Sequence, residues 1–488
     1  MEKQFKKTIY KLSPFRSLFW YLIPFFVKNL LPFIALPIVT SFLSVEDFGL
    51  YALSIVYGTL ISGIANFGLF TVFERTFFEI DLARRNDLLF TNICFVSLVM
   101  ALFSYLTWYF DIFISEEIFS NSMLSSILLF SLLLCGFKNL NQYFFYFLKN
   151  EERPKKYSLL TVSETILSIS LGIIFLVIYD GGLEGYLLGQ LIGVICIFLI
   201  NLISLIYNKK PSIRQGLMIH QLRISLPLTP RIFFGIINGQ FDRYMLGLMN
   251  TIAGVGLYDI GQKFANTSYS FMTTLQNIFA PQVYKRLFSK DEKYRKSIGA
   301  YLTPFFYLTI LFSLALGLFC EELLFLSTPE EYHDSALYIT ILVFQISFYF
   351  FGKQPQLIFA KKTALISTLS FFSILINIGL NVPFIYFYGV QGAVWATFIS
   401  GVLSSFLSFY FAQKYCYINY EKKLFYILFY FSLACIIQIY LSYIDGYYIS
   451  RFIFKTILLT GYFLIGVKYQ YLKIIKNIVF AYYKRLNT

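Results

Sequence analysis

Residues 182–210 read GLEGYLLGQLIGVICIFLINLISLIYNKK, and this stretch decides the class of fold. An apolar run long enough to cross a bilayer, which takes about 20 residues, opens on a glycine-rich turn and stops at Lys209-Lys210. The same pattern recurs along all 488 residues. The spans fall at about 18–42, 48–74, 87–110, 121–148, 157–179, 185–208, 223–249, 255–284, 298–320, 335–360, 363–387, 390–413, 424–442 and 449–468. A soluble chain of ordinary composition carries about 25% charged residues, whereas this one carries 14% and is 58% hydrophobic. Mean hydropathy is +0.66. These features predict an all-α polytopic membrane protein of about fourteen transmembrane helices. The basic segment Met1–Arg16 leads into an apolar stretch that is too long, and lacks the small-residue site, for a cleaved signal.

Charge is segregated between the gaps. Nearly all of the 40 Lys and Arg fall in every second gap and at the two termini. The intervening gaps carry acids instead, among them Glu46, Asp47, Glu116, Glu117, Glu321, Glu322, Glu330, Glu331 and Asp334. Basic gaps face the cytoplasm, so both termini are expected there. The formal net charge of +14 is scattered over short loops and forms no basic domain. It reads as topology and attraction to anionic headgroups, with no nucleic-acid partner. The longest outer gap, about 321–334, has no room for a folded domain. The six Cys are isolated and the two His lie in separate loops, which predicts no disulfide framework and no metal site. A phosphate-cradling glycine loop with Lys, a zinc-protease helix motif and a nucleophile elbow are all missing from the sequence, so neither an enzyme nor a cofactor is expected.

The two halves repeat. Gly49-Leu50-Tyr51 opens the second span, and Gly256-Leu257-Tyr258 stands 207 residues further on. Tyr179, Gly182 and Gly185 precede the sixth span, with Tyr386, Gly389 and Gly392 at the same offset. Units of six spans share one orientation and are related by an axis along the membrane normal. The expected organisation is an N-terminal lobe over 1–208, a cytoplasmic linker over 209–222, a C-terminal lobe over 223–420, and two added helices with a basic tail over 421–488. Two such lobes around a central cavity suit alternating access.

Charges inside spans are the candidates for function, because each costs about 2.5–3.5 kcal/mol at the helix centre and so faces a cavity or a partner. The cations are Lys28, Lys138, Arg231, Arg243, Lys263 and Lys353, and the acids are Glu164, Asp242 and Asp259. Cations outnumber acids, which points to an anionic substrate. Lys28 lies roughly 15 Å along its span, too deep for easy snorkelling. Arg231 follows the two prolines of Leu226-Pro227-Leu228-Thr229-Pro230, where a membrane helix bends around a cleft. Lys353 either lines the cavity or snorkels to the inner face. Lys138 with Glu164, and Asp242 and Arg243 with Asp259 and Lys263, serve as coupling groups or as interhelical pairs. Asn66, Asn238 and Gln240 either contact sugars or join helices.

The segment from Leu36-Pro37 through Ser44-Val45-Glu46-Asp47-Phe48-Gly49-Leu50-Tyr51 resembles the opening of the polysaccharide-biosynthesis (Wzx-type) flippases. Ser225-Leu226-Pro227-Leu228, Asp242-Arg243 and Val255-Gly256-Leu257-Tyr258 resemble them as well. These flippases sit within the multidrug/oligosaccharidyl-lipid/polysaccharide exporter superfamily. The resemblance spans about residues 15–415. It implies a twelve-helix two-lobed core and an undecaprenyl-pyrophosphate-linked glycan as cargo. On this view Lys28 and Arg231 grip the pyrophosphate, and the partners are membrane lipids, H+ or Na+ for coupling, and a glycan polymerase complex. Lipid II flippases of that superfamily carry several Arg in their first two spans. Here Lys28 stands alone deep in the first, with Arg75 at the inner end of the second, a departure from their pattern. Two other readings remain: a multidrug/cation antiporter of the same fold, which needs an acid-dominated cleft, and a membrane glycan polymerase or ligase, which usually has larger outer loops.

Overall fold

The computed structural model describes residues 14–352, 356–360, 362–442 and 448–471. Those residues are helical, with no strand among them. The longer helices are α1 (Pro14–Phe42), α2 (Val45–Ala65), α3 (Leu69–Glu79), α4 (Arg85–Tyr109), α5 (Ser125–Asn150), α6 (Pro154–Val177), α7 (Gly182–Lys209), α8 (Gln215–Ser225), α9 (Thr229–Met249) and α10 (Ile252–Leu287). They continue with α11 (Ile298–Leu318), α12 (Ser335–Gly352), α13 (Thr363–Tyr415), α14 (Lys423–Ser442) and α15 (Tyr448–Lys468).

Among the described residues, 11 helices are long and apolar enough to cross a membrane. Two features separate that number from the expected fourteen. Helix α13 runs through two expected spans, folded at Gly389 (φ 56°, ψ −131°), a conformation open almost only to glycine. Helices α9 and α10 carry Arg231, Asp242, Arg243, Asp259 and Lys263 among other polar residues and are too polar to qualify. Gly389's counterpart in the repeat, Gly182, also has positive φ, at 54°, so the two motifs share a turn as well as a spacing.

The segment Ser44–Asp47 closes a capping box. Ser44 Oγ accepts the Asp47 N–H at 3.1 Å, and Asp47 Oδ2 accepts the Ser44 N–H at 3.1 Å. This fixes where α2 begins. The helix ends at Asn66, where Phe67 and Gly68 turn left-handed.

The chain divides into two compact units, Met1–Gly256 and Leu257–Arg485. In the first, α1 packs on α6, α6 on α7, α5 on α2, α4 and α7, and α9 on α2. The repeated glycines meet within this unit. A Cβ on Gly49 would run into the Ile252 carbonyl, and one on Gly256 into that of Val45. Because 252 is the repeat partner of 45, the contact is reciprocal, as in a self-complementary interface. The expected linker, 209–222, lies inside this unit and is fastened down there: Asp87 accepts the Ser212 N–H at 2.8 Å and Arg214 Nε at 3.0 Å.

In the second unit, α12 packs on α11 and α13, the last two helices dock on α11, and α14 also packs on α12. Their anchor is a buried charge network. Lys455, fully buried in α15, reaches Glu321 and, at 3.0 Å, Glu322, while Arg451 also bonds Glu321. Deeper in, the rings of Tyr307 and Tyr462 stack with centroids 4.9 Å apart.

Candidate functional site

Lys28 sits on the packed side of α1. Phe26, Leu30, Ile34, Ile38 and Phe42 follow one another at i+4 and are exposed, as an apolar stripe facing lipid would be. Lys28 instead shares a face with Pro24, Ala35 and Val39, all buried. The Lys28 side chain is nevertheless exposed, as is Pro32 one turn along the same face. Its ammonium lies 5.6 Å from the centroid of the buried Phe145 ring on α5, within cation–π range.

Two further charges lie within electrostatic reach of it, Lys138 on α5 and Glu164 on α6. Glu164 is buried, and Asn141 Nδ2 donates to its Oε2 at 2.6 Å. The same amide donates to the Val194 carbonyl on α7 at 3.1 Å. Asn141 thereby ties α5, α6 and α7 together and fixes the carboxylate. Neither Lys28 nor Lys138 comes within 4.0 Å of a carboxylate among the described residues. The cluster is thus two lysines facing one acid that is already hydrogen-bonded. A phosphate or pyrophosphate entering it would meet a net positive charge.

Sequence reading named Lys28, Lys138 and Glu164, and the structure brings these three together. It did not name Asn141 or Phe145. Both follow Lys138 on one helical face, at i+3 and i+7, and that spacing was the available signal.

The other candidates fall elsewhere. Asn66 is buried at the end of α2, where its side-chain carbonyl accepts a hydrogen bond from the Tyr143 hydroxyl and joins α2 to α5. Asn238 and Gln240 are half-buried on α9, and Arg243 Nη1 donates to Gln240 Oε1 at 2.9 Å. Asp242 is buried on the same helix. Asp259 pairs with Lys263, 3.4 Å away and one turn along α10. The backbone of Arg231 lies in the first turn of α9, but its side chain lies outside the described residues, as does the whole of Lys353.

An all-helical bundle whose spans are long and apolar enough to cross a bilayer defines a multi-pass membrane protein. The chain belongs to the polysaccharide biosynthesis protein family, whose model matches residues 15–275. No curated protein sequence matches it. Among solved structures, the chain is similar to the lipid II flippase MurJ in an inward closed conformation, with TM-score 0.69, 17% identity, and coverage of 94% of this chain and 98% of that one. It is also similar to an inward-facing multidrug resistance MATE family transporter of the MOP superfamily, with TM-score 0.59, 12% identity, and coverage of 82% and 97%. A MATE transporter of Vibrio cholerae follows, with TM-score 0.54, 15% identity, and coverage of 82% and 96%. At such identities the likeness establishes the fold alone.

Proposed function

We propose that this protein is a flippase that moves an undecaprenyl-pyrophosphate-linked oligosaccharide, the repeat unit of an O-antigen, capsule or exopolysaccharide, to the outer leaflet of a bacterial cytoplasmic membrane. Two lobes, 1–208 and 223–420, joined by 209–222 and extended by 421–488, alternate access to the two sides. Both termini are cytoplasmic. The chain carries cargo and makes no covalent change to it.

The observation that carries this reading is Lys28: a lysine deep in the first span, turned from the apolar stripe, exposed, and only partly balanced by Glu164. Lys28, with Lys138 beside it, holds the pyrophosphate while the polyprenyl chain stays in the bilayer. Membership of the polysaccharide biosynthesis family supports a glycan cargo. The fold shared with a lipid II flippase supports a lipid-linked one. Arg231 is assigned as the second grip on sequence grounds. The coupling ion, H+ or Na+, acts through Glu164, Asp242 or Asp259, and a glycan polymerase receives the product.

The test is complementation of a deletion strain. Lys28→Ala and Arg231→Ala should each abolish surface glycan at unchanged protein level, while Lys28→Arg should retain it. Normal glycan display with Lys28→Ala would end this assignment of the grip.

A further inference from the structure

Three gaps of the second unit, 321–334, 387–390 and 442–449, lie at one end of it by the parity of the threading, the end expected to face outward. Residues in or beside these gaps, among them Glu321, Asp334, Gln391, Ser442 and Tyr448, line a cavity of about 490 Å³, within the size range of small-ligand sites. Its wall and floor include Glu321, Tyr338, Gln391, Tyr448 and Arg451.

The floor is charged but internally balanced. Arg451 bonds Glu321, and Lys455 beneath them holds both Glu321 and Glu322. Its ionic groups are therefore already paired, and a free phosphate would gain little there. What remains for a ligand is of a different kind. Gln391 and Asp334 are exposed, and their side chains enter no hydrogen bond among the described residues. The rings of Tyr448 and Phe325 are 75% and 72% exposed. The Arg451 guanidinium lies 5.9 Å from the Tyr448 centroid, and the His333 ring 5.9 Å from that of Phe325, so each ring has a neighbour that orients it. His333 Nε2, donating to the Thr328 carbonyl at 3.1 Å, holds its own ring in place.

Flat apolar faces beside an unpaired amide and a carboxylate, over a neutral floor, suit a ligand whose own surface alternates C–H faces with hydroxyls. We propose that this pocket is a saccharide-binding site at the outer end of the second unit, taking a short stretch of uncharged glycan. Aromatic faces stack on the sugar ring, and Gln391 and Asp334 take its hydroxyls. The inference rests on the flippase reading, since it gives the translocated glycan a place to rest after crossing.

The test uses the full chain in lipid nanodiscs and the repeat-unit oligosaccharide released from the host's own surface glycan, with lipid and phosphate removed. Saturation-transfer NMR titration should show binding that weakens about tenfold in Tyr448→Ala and in Gln391→Ala. It should be unchanged in Lys28→Ala. Size-exclusion profiles check that each variant is folded. Absence of saturation transfer to the wild-type chain, or equal binding by both pocket variants, overturns the site. Loss of binding in Lys28→Ala alone would place the sugar in the first unit, overturning the outer site while sparing the transport reading. The expected pattern, combined with normal glycan display by Lys28→Ala, would keep the site and remove the assigned grip instead.

Discussion

Replacing Glu164 with Gln reads the sign of the cargo's charge. The amide keeps a carbonyl oxygen where Asn141 Nδ2 now reaches the carboxylate at 2.6 Å, so the contact among α5, α6 and α7 should survive. What changes is charge: two lysines facing one acid become two lysines alone. Unit charges 4 Å apart interact by about 4 kcal/mol at an effective dielectric of 20. Neither lysine lies within 4.0 Å of Glu164, and an anion gripped by them is farther still. Roughly twice that separation, and hence about 2 kcal/mol, is the relevant scale. Screening at the exposed Lys28 reduces it further, to about 1 kcal/mol, or severalfold in affinity. The assay is binding of undecaprenyl pyrophosphate to the purified protein in nanodiscs, with surface glycan display measured in parallel. Glu164→Gln should bind the anion severalfold more tightly and display glycan more slowly, because release must break a stronger grip. A cationic cargo requires the opposite sign. Weaker anion binding in Glu164→Gln, or loss of lipophilic-cation transport that the wild type performs, would refute the reasoning.

Lys455→Met removes one cation from a buried network and leaves Glu321 and Glu322 with Arg451 alone. Thermal unfolding in detergent should report a loss of about 3–5 kcal/mol, with most of it recovered in Lys455→Met/Glu322→Gln. Asp87→Ala frees the linker from its two bonds, to Ser212 and Arg214. The Arg214 side chain is 58% exposed, so global stability should change by about 1 kcal/mol or less, while trypsin cleavage after Lys209 and Arg214 should accelerate severalfold.

Much of the fold is legible in the chain because a bilayer makes few demands and makes them strictly. Every span must be apolar and helical, and every basic gap must stay on one side, so class and repeat follow from patterning. The second span is expected from about 48, and the structure starts its helix at Val45 because Ser44 and Asp47 close a capping box, a local signal that hydropathy does not read. The site is less legible because it depends on rotation about helix axes. The lysine at position 28 could face lipid or protein, and only packing turns it with Ala35 and Val39 toward the protein side. Asn66 has the composition of a sugar ligand, yet it finishes α2 and accepts from Tyr143, a partner 77 residues away that no local pattern announces. Lys455 has the look of an interfacial charge. Its burial against Glu321 and Glu322 appears only when the last two helices are seen to dock on the second unit.

Helix α9 supplies a final prediction. It carries Arg231, Asp242 and Arg243, and charges at a helix centre cost about 2.5–3.5 kcal/mol each, against a gain of about 0.3–0.6 for each Leu, Ile, Phe or Val. Its apolar contacts are directed at α2: Ile236 packs on Gly63, and Gly247 on Leu53. Gly235 and Gly239 do not serve that contact, since a Cβ at either would meet nothing within 4 Å. Glycine inside a helix costs about 1 kcal/mol relative to alanine. Two of them, one turn apart and touching nothing, make sense if the space beside α9 must stay open for cargo. Gly239→Leu should therefore melt at or above the wild-type temperature, because it relieves a helix-propensity cost without a clash. It should also lose glycan display, because four carbons now occupy the opening. If the variant displays glycan normally, that face of α9 borders lipid, and the polar residues of α9 serve assembly rather than transport.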